Sequence, residues 1–311
     1  MRPLTVLLAA PRGFCAGVRR AVQAVEDARA ATDRPIYVRH QIIHNRRVTD
    51  RLETAGVRFV DELEQIPPDA VTVLSAHGVG REVAGQAARR AAPVLDATCP
   101  LVRRVHLEAA RSAQAGRKIV VIGHEGHPEV TGILGHIDGE AAVAASPAEV
   151  EALGFAPEDP VAYVVQTTLS VDDARAVIAA LHARYADVAG PDVRTICYAT
   201  QNRQTALRRI AGRADRLVVC GARNSSNANR LREVGEAEGR PTLLIEEAGE
   251  LPRAFVEEAE VLGVTAAAST PEELVQELLD RLASWRAISV SEVGDPEENV
   301  RFAPVDLGAL A

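Results

Sequence analysis

The sequence predicts an α/β protein made of three similar α/β units with mostly parallel sheets. Short runs rich in Val, Ile and Leu alternate with helical patterns along the chain. Continuous apolar strands separated by helices indicate parallel sheets covered on both faces. Three cysteines each stand where a strand runs into a helix: Cys15 in AAPRGFCAGVRRAV, Cys99 in VLDATCPLVRRVH and Cys197 in VRTICYATQNRQTAL. They fall in different thirds of the chain, which suggests one unit around each. At 311 residues and 47% hydrophobic, the chain can bury a full core in two or three domains.

Thr5–Ala10 reads as the first strand, and Ala16–Ala31 as a helix with Val18, Val22 and Val25 on one face. Strands Ile36–Arg39 and Val71–Ser75 follow. A helix over Leu101–Ala115 carries Val102, Val105 and Leu107, and strands Lys118–Ile122 and Val161–Val165 come next. Helices are expected over Asp172–Tyr185, Thr205–Ala211 and Ala228–Glu238, with strands at Arg216–Cys220, Thr242–Ile245 and Val261–Ala266. The last helix, Pro271–Ala283, opens with Thr270 as N-cap, Pro at the first position and Glu272 and Glu273 in the first turn. Ile288–Ala311 lacks clear periodicity and reads as a tail. The expected domains are residues 15–98, 99–196 and 197–287, the last completed by the strand in residues 1–14, with 288–311 outside them.

Composition excludes several classes. A net charge of −8 and an aromatic content of 3% argue against nucleic-acid binding, which favours basic surfaces and stacking platforms. No segment approaches the ~18 consecutive apolar residues of a membrane span. The N-terminal apolar run is too short for a secretory signal, and four cysteines show no dense disulfide spacing. A cytoplasmic, thiol-preserving location is expected.

A helix N-terminus stabilises a thiolate through its unpaired N–H groups and partial positive charge. Three thiolates meeting at one point would hold an iron–sulfur cluster by three irons and leave the fourth open. Cys220, inside RLVVCGA, reads instead as a small buried hydrophobe.

Ligands of open α/β sheets bind beyond the carboxyl ends of the strands, where polar residues crowd here. His44, Ser75 and His77 belong to the first unit; His124, His127, Glu129, Thr167 and Thr168 to the second; Asn224, Ser225, Ser226, Asn227 and Ser269 to the third. These donor types suit the oxygens of a phosphate. Spacing alone leaves His44, His77 and His127 open between function and a satisfied structural role. Glu129 likewise reads as a loop cap or a proton donor. His40, His106, His136 and His182 read as surface or satisfied polar residues. Gly and Pro around His124 and His127 argue against a helical zinc pair, and no nucleotide-binding glycine fingerprint is present.

The blocks PRGFCAGV, VRHQIIHN, SAHGV, DATCPLV, GHEGHPEV, QTTLS, ICYATQNRQ and NSSN together resemble the 4-hydroxy-3-methylbut-2-enyl diphosphate reductase family, of the methylerythritol phosphate route to isoprenoids. The resemblance covers about residues 3–285. It implies three α/β domains in a pseudo-threefold arrangement around one 4Fe–4S cluster held by Cys15, Cys99 and Cys197. It implies that His44, His77, His127, Ser225, Ser226, Asn227 and Ser269 hold the diphosphate of a small allylic substrate. Thr167 and Glu129 then stand near the substrate hydroxyl, whose oxygen binds the open iron, and Glu129 supplies the proton. The products implied are isopentenyl and dimethylallyl diphosphate. With no flavin or nicotinamide motif evident, electrons would come from a protein such as a ferredoxin or flavodoxin. The chain departs from the family pattern at Arg19, Gln41, Ile133 and Ala267, none of them a residue named above.

Three other readings compete. A Lewis-acid cluster enzyme resembling quinolinate synthase also has one cysteine per domain, but the NSSN and HPE blocks favour the reductase. An iron–sulfur sensor needs no array of anion donors, and a transcriptional one would carry a basic region. A zinc protein would need a fourth ligand near the cysteines.

Overall fold

The computed structural model describes residues 3–192 and 197–310. In chain order come β1 (Leu4–Ala10), α1 (Ala16–Ala31), β2 (Ile36–Arg39), α2 (Arg46–Thr54), β3 (Val57–Val60), β4 (Val71–Leu74), α3 (Arg81–Ala88) and β5 (Val94–Asp96). The chain continues through α4 (Pro100–Gln114), β6 (Lys118–Ile122), α5 (Pro128–Leu134), β7 (Ala141–Ala144), α6 (Pro147–Glu151), β8 (Pro160–Val165), α7 (Val171–Arg184) and β9 (Asp187–Ala189). It ends with α8 (Tyr198–Ala211), β10 (Arg216–Cys220), α9 (Ser226–Ala237), β11 (Thr242–Ile245), α10 (Arg253–Glu257), β12 (Val261–Ala266), α11 (Glu272–Trp285) and β13 (Ile288–Gly294).

The strands form three sheets, ordered β11-β10-β12-β1-β13, β3-β2-β4-β5 and β7-β6-β8-β9. Every pairing in them is parallel. By contacts the chain gathers into two compact units. One comprises Met1–Ala16, His44–Val48 and Tyr198–Arg301, and the other Gly17–Ile43, Thr49–Cys197 and Phe302–Ala311. The five-stranded sheet lies in the first unit, and the two four-stranded sheets share the second.

β1 shows why its sequence is apolar at every position but Thr5. Leu4, Val6 and Leu8 pack with α11 on one face, and Leu7 and Ala9 pack with α8 and α9 on the other. Each fully buried Leu or Val contributes about 1.5–3 kcal/mol, and a strand covered on both faces is apolar along nearly its whole length; Thr5 is its one position that is not fully buried. The β6-β8 pair is built the same way, with Val120 and Ile122 on one face and Ile119 and Val121 on the other.

The expected tail is partly a strand. Ile288–Gly294 runs parallel to β1 from Leu4↔Ile288 to Ala10↔Gly294. Its residues are mostly exposed, so edge hydrogen bonding rather than an apolar pattern defines it. The cap of α11 also differs from expectation. Pro271 is the N-cap, while the Thr270 hydroxyl donates to the Cys220 carbonyl at 3.0 Å. No helix among the described residues is long and apolar enough to cross a membrane.

Candidate functional site

In the second unit the polar residues gather beyond β6, β8 and β4. GHEGHPEV forms a turn and then α5. His127 is the N-cap and Pro128 follows it, where a missing N–H costs nothing. The Glu129 N–H donates to His127 Nδ1 at 3.1 Å. His127 Nδ1 is therefore an acceptor, and in the neutral ring the proton sits on Nε2. The Glu129 side chain is only 2% exposed. Its Oε1 accepts the Thr167 backbone N–H at 2.7 Å, and its Oε2 accepts the Thr167 hydroxyl at 2.9 Å. Burial pushes the carboxyl up to about 7, against the opposing effect of the two Thr167 hydrogen bonds.

Thr167 and Cys197 line one cavity of about 200 Å³ with Leu101, Val105 and Val164. Thr167 thus both lines this cavity and hydrogen bonds to the buried Glu129 carboxyl. A hydroxyl serves both ionisation states. It donates to the carboxylate as seen here, and by rotating it accepts from the carboxylic acid.

His77 meets His127 edge to face, with ring centroids 6.0 Å apart. Ser75 Oγ lies 3.4 Å from His77 Nδ1. Beside them, Gly78 adopts φ +74°. A Cβ on Gly78 would lie 2.6 Å from His106 Cε1. His106, expected to be a surface or satisfied polar residue, is buried. It is 4% exposed and stacks on His136 at 4.3 Å. Desolvation, then His136, lowers its pKa to about 4, so this pair is neutral packing under the His77 turn.

In the first unit, Ser225 caps α9, its Oγ accepting the Ala228 N–H at 3.4 Å. Ser225 Oγ lies 3.4 Å from Ser269 Oγ, and Ser269 Oγ donates to the His44 carbonyl at 3.1 Å. Asn227, 4% exposed, accepts the Ala268 N–H at 2.9 Å with Oδ1. Among the described residues its buried Nδ2 has no partner. A buried amide donor without a partner is costly, and an anion would satisfy it. Ser226 is the first residue of α9, beside these groups in sequence.

The cysteines fall as the sequence suggests relative to helices. Cys99 is the N-cap of α4, Cys15 directly precedes α1, and Cys197 directly precedes α8. All three are partly exposed, whereas Cys220 is buried and desolvation pushes its thiol up to about 12. Cys15 and Cys197 belong to different units. Residues 193–196, which run up to Cys197 and include only the first residue of ICYATQNRQ, lie outside the described residues.

Profile comparison matches residues 6–283 to the family described as LytB protein. The chain belongs to the LytB family. A curated protein of Phenylobacterium zucineum, named 4-hydroxy-3-methylbut-2-enyl diphosphate reductase, is 52% identical over 96% of both chains. One of the same name from Zymomonas mobilis is 48% identical over 96% of this chain and 88% of its own. The solved E-1-hydroxy-2-methyl-but-2-enyl-4-diphosphate reductase of Plasmodium falciparum superposes with a TM-score of 0.92. It is 31% identical and covers 100% of this chain and 98% of its own. A second solved reductase, titled the terminal enzyme of the non-mevalonate pathway, gives 0.66 at 29% identity, covering 90% of this chain and 99% of its own.

Sequence reasoning missed Gln166, which is fully buried. Its Oε1 accepts the His124 N–H at 3.0 Å, and its Nε2 donates to Thr168 Oγ1 at 2.9 Å. It fixes the turn leading to His127. Its position in QTTLS, ending an otherwise apolar strand, was the available signal.

Proposed function

We propose that this chain reduces 4-hydroxy-3-methylbut-2-enyl diphosphate to isopentenyl and dimethylallyl diphosphate in the cytoplasm, using one 4Fe–4S cluster held by Cys15, Cys99 and Cys197. The chain is an oxidoreductase of isoprenoid precursor biosynthesis. The observation that carries the reading is the buried Glu129 carboxyl, near 7 in pKa and paired through both oxygens with Thr167.

The chemistry of the donor set fits a cluster: three partly exposed cysteines, each at a helix start, offer the thiolates that iron–sulfur clusters take as ligands. When bound, the cluster supplies two electrons one at a time and an open iron for the substrate hydroxyl.

The protein's residues supply the rest. Hydroxide is a poor leaving group, and Glu129, through the Thr167 hydroxyl, delivers the proton that lets oxygen depart as water. The overall reaction takes up two electrons and two protons, the second proton ending on carbon at either end of the allylic unit. His127 offers Nε2–H to the diphosphate, Asn227 offers Nδ2–H, and His44, His77, Ser225, Ser226 and Ser269 complete the cradle. Binding energy at this remote group fixes the reacting end. Electrons come from an external ferredoxin or flavodoxin.

Anaerobically purified chain is expected to show a cluster with one iron lacking a cysteine ligand, and to form both products with a low-potential donor. A full cluster alongside untouched substrate would defeat the proposal.

A further inference from the structure

Arg203, in α8, has no exposed surface. Its guanidinium has five N–H donors, and five contacts use them. Nε and Nη2 donate to the Gly13 carbonyl at 2.9 and 2.7 Å. Nη1 donates to the Ala199 carbonyl at 3.0 Å and to Glu298 Oε1 at 3.1 Å. Nη2 also donates to Glu298 Oε2 at 3.0 Å. Asn202 Nδ2 adds a third contact to Glu298, reaching Oε1 at 2.9 Å. The Glu298 side chain is 12% exposed. It belongs to the segment after β13, which has no assigned role.

Gly13 lies two residues before Cys15. Its N–H donates to the Ala266 carbonyl at 3.0 Å, and the Cys15 N–H donates to the Ala268 carbonyl at 3.2 Å. At φ +67°, a Cβ there would lie 3.1 Å from the Thr270 carbonyl oxygen, so the loop tolerates little change. The end of β12 thus holds the N–H side of this loop, and Arg203 holds its carbonyl side. A buried guanidinium persists only when its charge is matched, and the matching carboxylate comes from the C-terminal segment.

The second unit contains a similar device. Arg20 Nη1 donates to the Thr98 carbonyl at 3.1 Å, one residue before Cys99. Its Nε donates to the Ala303 carbonyl at 2.8 Å. In each unit an arginine joins the last stretch of chain to the carbonyl of a cysteine-bearing loop.

We propose that the C-terminal segment is a latch: Glu298 on Arg203 fixes the Gly13–Cys15 loop and thereby sets how firmly the Cys15 thiolate holds the cluster. Arg203 and Glu298 are positioning residues, and the proposal rests on Cys15 being a cluster ligand. Loss of a group that orients a metal ligand commonly costs about 10–100-fold in metal retention.

The test compares Glu298→Ala, Glu298→Gln and Arg203→Lys with Leu282→Ala, a core truncation in the same unit. Each anaerobic holoprotein is read by iron release to a chelator, by the electron paramagnetic resonance spectrum of the reduced cluster, and by Tm. Glu298→Ala is expected to release iron at least about tenfold faster than Leu282→Ala at comparable loss of Tm, with an altered spectrum. Glu298→Gln, which keeps one acceptor, recovers most of the retention, and Arg203→Lys falls between. Release from Glu298→Ala at the wild-type rate, or no faster than from Leu282→Ala, overturns the latch. If removing the Cys15 thiol leaves the wild-type cluster unchanged, the ligand assignment fails instead. A cluster that depends on Cys15 but ignores Glu298 refutes the latch alone.

Discussion

Replacing Glu129 by Gln tests the proton donor and its burial together. The isostere keeps an oxygen for the Thr167 N–H, and the Thr167 hydroxyl can turn to accept from the new amide, so the local geometry survives. In the wild type, the carboxyl pKa rises from 4.5 unfolded to about 7 folded. Between those values the native state binds more protons than the unfolded chain, so this group's contribution to stability falls as pH rises. At ~1.4 kcal/mol per unit, the loss from pH 4.5 to above pH 7 is on the order of 3 kcal/mol. His106 acts in the opposite sense. Its pKa is lowered to about 4 from 6.5, so its contribution is present above 6.5 and is lost as pH falls toward 4. The two slopes offset each other in the wild type, and only the difference between wild type and variant isolates Glu129. Denaturant unfolding from pH 4.5 to 8 should show Glu129→Gln gaining on the wild type by roughly 3 kcal/mol across the range. Turnover should fall by about 10²–10⁴-fold, the usual worth of a general acid. The wild-type rate should decline above pH 7 as the acid ionises. A flat stability difference would refute the burial argument, and turnover within about threefold of wild type would refute the proton role.

Substitutions at the cysteines and at Gly78 separate structure from chemistry. Removing the thiol of Cys15, Cys99 or Cys197 should each cost the cluster. Cys220→Ala should retain iron and sulfide and lose about 1 kcal/mol or so as a small core truncation, a contrast read by iron analysis and denaturant unfolding. Gly78→Ala should destabilise by about 2–5 kcal/mol, combining positive-φ strain with overpacking against a ring that cannot swing away. It should also raise the substrate KM by moving His77. A loss under about 1 kcal/mol would show that the His106 stack yields.

How much of this was legible in the sequence follows from where each strand sits. β1, β2, β4, β6, β8, β10 and β12 lie inside their sheets and are nearly continuously apolar. The strands the sequence did not reveal, β3, β5, β7, β9 and β13, are all sheet edges, short or half exposed. An edge strand needs only one well-packed side and is defined by pairing with a neighbour distant in sequence. Of the edges only β11, with TLLI, carried an apolar signal of its own. The start of α8 was hidden differently. Its first turns bury Thr200, Arg203 and Gln204, and a reading that equates burial with apolar residues begins the helix too late, at Thr205. The site types were visible because Cys, His, Ser and Asn follow apolar strands, whereas the groups that hold them were not.

That division points to a common construction. The residues proposed to do chemistry follow strand ends, and several of them are set by a neighbouring polar group. Ser75 stands beside His77, Gln166 ties down the turn before His127, and Asn227 Oδ1 fixes Ala268 ahead of Ser269. Arg203 holds Gly13 ahead of Cys15. Loops after parallel strands are free to vary, and freedom of even an ångström at a reacting group costs heavily in rate. A buried polar holder removes that freedom, but it must itself be fully hydrogen bonded. The holders should therefore be less tolerant of substitution than the donors they position. A donor in the proposed diphosphate cradle would share its load with several others, whereas Gln166 and Arg203 each anchor their loop through bonds that no neighbouring side chain duplicates among the described contacts.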